Sequence, residues 1–302
     1  MTVPDVPFRG STAMAAGLVS RRALARDYRA LHRDVYVGRD LKVTPEIKAK
    51  AAWVWSGETA TLAGLSAAAL LGCRWIDDRH PAEVVRRNGK PVTGILVHRD
   101  ELDADETCLV GGITVTTPAR TAFDLGRRRN FDKAVIVLDA LSHATGLPKG
   151  DVGALIDRHR GARGIVQLRH VLDFVDGGAE SPQETRTRLL LVRAGLPVPT
   201  TQILVVDEFN HPIARVDMGW RQWRVGVEFD GAHHWTDPVQ RTRDINRLAE
   251  LEACGWRIIR VNSQLLRHAP RVVIDRIVAA LRAAGCPGEW PLTAHLPLKY
   301  VS

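Results

Sequence analysis

The order of hydrophobic and polar positions along the chain predicts three successive blocks of helices and strands. Helical periodicity dominates residues 1–75, where one short β-rich run follows the second helix. Residues 76–177 begin with short β-rich runs and continue with longer helical stretches. From residue 178 the pattern predicts the order α-β-β-β-α-β-α. We therefore expect a mixed α/β (α+β) chain with domains at 1–75, 76–177 and 178–290, followed by a tail at 291–302.

The first block has the order helix, turn, helix, wing. Ser20 is a suitable N-cap for a basic helix that starts at Arg21, and residues 31–37 are typical of a β-hairpin with its turn at Arg33-Asp34. In a helix-turn-helix protein the second helix enters the major groove of DNA. A solvated basic helix would have the same composition, so that alternative stays open. The nucleic-acid-binding candidates in this winged helix are Arg21, Arg22, Arg26 and Arg33.

Three carboxylates interrupt two neighbouring apolar strands of the last block. Asp217 lies in one strand, and Glu228 and Asp230 lie in the next. An antiparallel hairpin around residues 221–223 brings Asp217 opposite Val227 and Glu228, and side chains two positions apart share one face. Such a cluster repels itself unless a divalent cation binds, and carboxylate oxygens suit Mg²⁺ or Mn²⁺. The alternative is that some of these carboxylates face solvent.

Glu184 and His234 extend this set of catalytic candidates. Glu184 is the N3 residue of the capping box Ser181-Pro182-Gln183-Glu184, a role that already accounts for a glutamate there. It can serve both roles if the helix N-terminus points at the same edge of the sheet. His233 and His234 follow the strand end, where an imidazole can act as a general base. The catalytic candidates are Glu184, Asp217, Glu228, Asp230 and His234.

The charge of the chain favours a polyanionic partner. A formal net charge of +8 and a pI near 9.7 suit nucleic acid, because Lys and Arg neutralise phosphates. Arginine greatly outnumbers lysine, which can also reflect genomic base composition, so charge alone does not decide. On the helix after the carboxylates, Arg243 and Arg247 are one turn apart and can both contact a phosphate backbone. Surface ion pairs that involve Asp244 are the alternative.

Cysteine spacing and the length of the apolar runs exclude several classes of protein. The four cysteines are far apart and form no Cys-x-x-Cys pair, which argues against a disulfide framework and a thiolate zinc site. The N-terminus has no signal-peptide pattern, and no apolar run approaches the roughly 20 residues that span a bilayer. We expect a soluble cytoplasmic protein with no membrane partner.

An ordered series of short motifs runs through residues 178–285: Ser181-Pro182-Gln183-Glu184, Val216-Asp217, Val227-Glu228-Phe229-Asp230-Gly231-x-x-His234, Arg243-Asp244-x-x-Arg247 and Gly255-Trp256-Arg257-Ile258-Ile259-Arg260-Val261. Together they resemble a family of uncharacterised domains akin to the very-short-patch-repair endonuclease, within the PD-(D/E)XK nuclease superfamily. The resemblance implies a restriction-endonuclease-like fold and Mg²⁺-dependent hydrolysis of phosphodiester bonds. Asp217 and Glu228 match its metal ligands, Glu184 its helix glutamate, and His234 a downstream histidine.

The chain departs from this family at two points. Asp230 stands where a lysine usually polarises the attacking water or stabilises the pentavalent phosphate. An acidic residue at that position can bind a second metal ion, so the metal-ligand candidates are Asp217, Glu228 and Asp230. The structural zinc cysteines of the repair enzyme have no counterpart in this sequence.

A second resemblance concerns residues 11–75, with the motifs Gly17-Leu18-Val19-Ser20 and Leu31-His32-Arg33-Asp34-Val35-Tyr36-Val37. These residues look like the winged helix of the abortive-infection antitoxin family of type IV toxin–antitoxin systems. Residues 113–121 are similar to a motif in the second part of those proteins. The resemblance implies sequence-specific DNA binding and repression, and it suggests a toxin–antitoxin partner protein.

Two hypotheses follow from the sequence. The first is a DNA-directed endonuclease that depends on Mg²⁺ or Mn²⁺. The second is a non-catalytic DNA-binding transcriptional regulator, an antitoxin-like repressor whose nuclease-like domain serves binding or dimerisation, and Asp230 in the lysine position favours it. RNA stays open as an alternative substrate, because nothing in the sequence reads a 2′-hydroxyl. A homodimer also stays open.

Overall fold

The computed structural model describes residues 6–87, 92–231, 238–288 and 290, with residues 238–241 described by their backbone only. The chain divides into two units, Met1–Gly177 and Gly178–Ser302. Across the described residues there are twelve α-helices and three β-sheets, which confirms the expected mixed α/β class. Within those same residues, no helix combines the length and the apolar character needed to cross a bilayer.

The N-terminal unit begins with a small antiparallel sheet and two short helices. Its first elements are β1 (Phe8–Arg9), α1 (Gly10–Ala15), α2 (Arg21–Asp27), β2 (Tyr28–His32) and β3 (Val35–Gly38), with sheet order β1-β3-β2. As expected, Ser20 caps α2, and its hydroxyl accepts the N–H of Ala23 at 3.1 Å. Asp34 has φ +61° at the expected turn, and its carboxylate accepts the N–H of Ser11 at 2.8 Å. This bond attaches the β2–β3 turn to α1.

The rest of this unit is a five-stranded sheet covered by helices. Its elements are α3 (Pro45–Trp55), β4 (Thr61–Leu62), α4 (Gly64–Leu70), β5 (Ala82–Val85), β6 (Ile95–His98), β7 (Thr107–Val110), β8 (Ile113–Thr116), α5 (Pro118–Arg128), α6 (Phe131–Thr145), α7 (Lys149–Arg158) and α8 (Ile165–Phe174). The sheet has the order β6-β5-β4-β8-β7. The Asn88-Gly89 pair, which is typical of a β-turn, lies outside the described residues.

Two strands of this sheet differ from the sequence-based expectation. Residues 61–62 were expected to begin a helix but form β4, which pairs with β5 and β8. The helix starts only at Gly64, where φ is +50°, and the carboxylate of Glu83 accepts the N–H of Leu65 at 3.2 Å. β7 was not expected at all. Since β4 joins this larger sheet, the domain boundary after residue 75 stays a prediction.

A buried network of ion pairs links α5 to the segment just before β7. The guanidinium of Arg120, which is 2% exposed, donates to the carboxylates of Glu106 and Asp124, the latter at 2.9 Å. Both carboxylates are buried as well. Arg127 adds a second pair to Asp124 at 2.7 Å. Removing a cation from such a network leaves buried carboxylates without compensation.

Replacing Arg120 with Met should therefore destabilise the protein strongly. We expect a loss of about 3–5 kcal/mol in the free energy of unfolding, measured by urea denaturation. The matched control is Arg26→Met, which removes an exposed ion pair with Asp27 and should leave the unfolding midpoint unchanged. Similar midpoints for the two variants would show that the buried network does not stabilise the fold.

The C-terminal unit has the predicted order of elements with one short helix added. It contains α9 (Pro182–Arg193), β9 (Thr200–Val206), β10 (Pro212–Trp220), β11 (Val225–Phe229), α10 (Pro238–Ala253), β12 (Arg257–Val261), α11 (Ser263–His268) and α12 (Pro270–Ala283). The sheet order is β12-β11-β10-β9, with β11 and β12 parallel and the other pairs antiparallel. The added helix is α11, which the sequence pattern did not predict.

The hydrophobic residues of this sheet divide into two clusters. One cluster joins Met218 and Val227 to Ile277 of α12. The other joins Val216 to Leu251 of α10. Asp217 lies between Val216 and Met218, so its carboxylate is carried by a strand whose flanking residues are both fixed in the core.

Candidate active site

The β10–β11 hairpin positions the first two carboxylates. Its register pairs Met218 with Val227 and Gly219 with Gly226. Beyond this register, the bond from the Phe229 N–H to the Asp217 carboxylate keeps Asp217 close to Glu228. A Cβ atom on Gly219 would overlap the carbonyl oxygen of Val225, which explains why a glycine is required at this close approach. The hairpin predicted around residues 221–223 is confirmed.

Asp217 is partly buried and accepts one strong hydrogen bond. The backbone N–H of Phe229 donates to its Oδ2 atom at 2.7 Å. The pKa of the Asp217 carboxyl is raised to about 7, mainly by burial and in smaller part by the neighbouring carboxylates of Glu184 and Glu228, against the lowering effect of the Phe229 bond. The three acidic side chains therefore interact electrostatically at one place in the fold.

Glu228 is buried and bound by an arginine of α10. Its two carboxylate oxygens accept hydrogen bonds from Nη1 and Nη2 of Arg247 at 2.5 and 2.8 Å. The ion pair raises the pKa of the Arg247 guanidinium above its usual value. Arg247 was expected to contact a phosphate backbone, but in this structure its charge is directed at Glu228. The bidentate geometry fixes the orientation of the carboxylate.

Glu184 occupies the N-terminus of α9, as the capping box predicts. Its N–H donates to the hydroxyl of Ser181 at 3.2 Å. Its Oε2 atom accepts the N–H of Glu180 at 2.9 Å and a proton of the Gln202 amide at 3.0 Å. The Gln202 contact was not foreseen from the sequence, because a lone glutamine near the start of a strand carries no pattern. This amide holds the Glu184 carboxylate, which is 7% exposed.

Asp230 follows the end of β11 and still pairs with the neighbouring strand. Its N–H donates to the carbonyl oxygen of Val261 at 2.7 Å. By strand alternation its side chain lies on the same face as that of Glu228, and it is partly exposed. His234 lies outside the described residues. The structure thus brings Glu184, Asp217 and Glu228 into one interacting group, with Asp230 at its rim.

The remaining arginine candidates lie on the surface of their own units. Arg243 is exposed on α10. In the N-terminal unit the exposed arginines are Arg21 and Arg22 in the first turn of α2 and Arg33 in the β2–β3 turn. Arg26 is also exposed, but it forms an ion pair with Asp27 at 2.7 Å. Arg21, Arg22 and Arg33 are therefore accessible to solvent.

A second acidic group lies in the N-terminal unit and was not foreseen. Asp103, Glu106 and His159 offer ligand atoms within 4.8 Å of one another, and no other such group of three exists in the described part of the chain. The carboxylate of Glu106 is already engaged, because it accepts from Arg120 and contacts Nε2 of His159 at 2.5 Å. We assign this group to the buried ion-pair network.

The C-terminal unit matches a known domain family. The family model REase_MTES_1575, which describes a restriction-endonuclease-like domain, matches residues 200–281. The matched range contains Asp217, Glu228, Asp230 and Arg247, and it begins after Glu184. The C-terminal domain is therefore restriction-endonuclease-like, a class of domain that commonly uses divalent metals.

Two relatives in Mycobacterium tuberculosis match most of the chain. Uncharacterized protein MT2308 of strain CDC 1551 / Oshkosh is 30% identical over 199 residues, which cover 66% of this chain and 72% of the relative. Uncharacterized protein Rv2248 of strain ATCC 25618 / H37Rv matches with the same identity and coverage. This chain belongs to their family. The names of these two relatives assign no activity to them.

In this family member, the folded state should become less stable as the carboxyl of Asp217 ionises. The pKa of Asp217 rises from 3.8 to about 7 on folding, so its contribution is fully present below about pH 4 and is lost as the pH approaches 7. Asp217→Asn removes this loss. In EDTA, urea denaturation should show the variant gaining stability over wild type between pH 4 and 7, by roughly 2–4 kcal/mol at pH 8.

The matched control is Asp275→Asn, which changes a half-exposed carboxylate on α12. Its stability relative to wild type should not vary over the same pH range. A constant difference between Asp217→Asn and wild type from pH 4 to 8 would contradict the assignment of a strained carboxylate to Asp217.

Proposed function

We propose that the C-terminal domain is a metal-dependent endonuclease that hydrolyses phosphodiester bonds in DNA. The observation that carries this proposal is the interacting group Glu184, Asp217 and Glu228 in a restriction-endonuclease-like domain. Folding holds these carboxylates together although their mutual repulsion opposes it. Groups with such perturbed pKa values are concentrated at functional sites, because the strain is retained for chemistry.

The donor set fits a divalent cation. Mg²⁺ or Mn²⁺ would be held by Asp217, Glu228 and Asp230, whose carboxylate oxygens are the ligands that such ions prefer. Each oxygen has two lone pairs, so the hydrogen bonds from Phe229 and Arg247 leave acceptor positions on both carboxylates. When bound, the ion would supply positive charge to the phosphate and lower the pKa of a nearby water.

The side chains of the domain supply orientation and proton transfer. Arg247 keeps the carboxylate of Glu228 in place, and Gln202 does the same for Glu184. Glu184 or His234 takes the proton of the attacking water. The water oxygen then forms a bond to phosphorus, one P–O ester bond breaks, and the leaving oxygen gains a proton. The products are a phosphomonoester and an alcohol.

A cleavage assay tests this proposal. The full chain should nick supercoiled plasmid when Mg²⁺ or Mn²⁺ is added and should not do so in EDTA. Asp217→Ala should lower the nicking rate by at least about 100-fold, because it removes a metal ligand. Asp275→Asn should nick like wild type. Parallel reactions with single-stranded DNA and RNA identify the preferred substrate.

The Arg247–Glu228 ion pair favours a second candidate function. Here a protein cation already neutralises Glu228, as expected of a nuclease-like domain that binds DNA or dimerises without cleaving it. In that case the protein is a DNA-binding transcriptional regulator. Absence of nicking by the wild type with both metals, together with DNA binding that survives loss of all three carboxylates, would support the regulator and refute the nuclease.

We further propose that α2 and the β2–β3 turn form the DNA reader of a winged helix. The double variant Arg21→Ala, Arg22→Ala should weaken duplex binding by about tenfold and lower the salt dependence of affinity, since each lost phosphate contact releases about one counterion fewer. Fluorescence anisotropy at several salt concentrations measures both effects. Arg169→Ala is the control, because it removes an exposed arginine from α8 of the same unit. Equal losses for both variants would indicate general charge attraction instead of a defined reader.

A further inference from the structure

The parallel pair β11 and β12 places another arginine beside the carboxylates. In its register, Arg260 is the direct partner of Glu228. Partners in this pair share a face, because a Cβ atom on Gly226 would lie only 2.7 Å from Cδ1 of its own partner, Ile258. Arg260 is two residues after Ile258, just as Glu228 is two residues after Gly226. Arg260 and Glu228 are therefore on the same side of the sheet.

The site needs a cation that is still available to substrate. A phosphodiester brings negative charge toward Glu184, Asp217, Glu228 and Asp230, and the positive charge of Arg247 is already directed at Glu228. Arg260 is exposed, and its side chain forms no hydrogen bond or ion pair with the residues that the structure describes. Its planar guanidinium can donate two parallel hydrogen bonds to phosphate oxygens.

We propose that Arg260 is the phosphate-binding residue of the C-terminal site. This inference rests on the proposed nuclease function and adds to it the residue that receives the substrate. The guanidinium donates to the nonbridging oxygens of the phosphate at the carboxyl ends of β11 and β12. It thereby offsets the repulsion from the carboxylates and stabilises the charge that develops on those oxygens during hydrolysis.

Strand β12 supplies a matched control in Arg257. Both arginines are exposed on one strand, but they are three positions apart and therefore face opposite sides of the sheet. Full-length Arg260→Ala and Arg257→Ala are compared in plasmid nicking with Mg²⁺. The salt dependence of affinity for a short DNA duplex is measured in EDTA as a second readout. Arg260→Lys and Arg260→Gln complete the set.

Arg260→Ala should lower nicking by roughly 100-fold and reduce the slope of log affinity against log salt by about 1, whereas Arg257→Ala should leave both unchanged. Arg260→Lys should retain part of the nicking rate and part of the salt slope, whereas Arg260→Gln should lose both. If the alanine variant does not fold, the comparison of the lysine and glutamine variants tests the proposal. Equal behaviour of the position 260 and position 257 variants overturns the proposal. If the wild-type protein does not nick DNA, the proposed nuclease function is refuted. The phosphate-binding role of Arg260 is tested separately, and an unchanged salt slope in Arg260→Ala refutes it.

Discussion

Burial of the Asp217 carboxyl close to the carboxylates of Glu184 and Glu228 is the constraint around which the C-terminal unit is arranged. These groups come from a helix N-terminus and two strands, so the fold must hold three elements together against the cost of desolvation, to which repulsion between the carboxylates adds. Hydrophobic packing supplies this hold, because Val216 and Met218 on either side of Asp217 belong to different core clusters. Local hydrogen bonds from Gln202, Phe229 and Arg247 then fix one orientation for each carboxylate.

The Arg247–Glu228 ion pair offsets the cost of burying a carboxylate in the candidate site. A buried carboxylate without a partner is costly, and a bidentate arginine removes most of that penalty while the site holds no cation. The same pairing leaves lone pairs of Glu228 free for a metal ion. Arg247 thus allows the site to fold without a bound cation, which makes the ion pair compatible with the proposed catalysis as well as with a purely binding role.

The sequence predicted those parts of the site that depend on local pattern. The predicted hairpin placed Asp217 opposite Val227 and Glu228, and in the structure Val227 pairs with Met218 while Asp217 lies close to Glu228. The capping box placed Glu184 at the start of α9. Both predictions follow from short-range geometry. The Arg247–Glu228 pair and the Gln202–Glu184 contact could not be predicted, since they depend on how a helix and an edge strand pack against the hairpin. Strand β4 was missed for a similar reason, because two residues gain strand geometry only from their neighbours in the sheet.

Asp217 differs from two buried carboxylates of the N-terminal unit in how its charge is compensated. In the N-terminal unit Glu106 and Asp124 are both paired with Arg120, so burial of charge is compensated within the fold. Asp217 has no ion pair with any residue that the structure describes, and a backbone N–H is its hydrogen-bond partner. Asp217 thus differs from Glu106 and Asp124 in that no described cation of the protein pairs with its partly buried carboxylate. A positive charge bound from outside the protein would offset the cost of burying it.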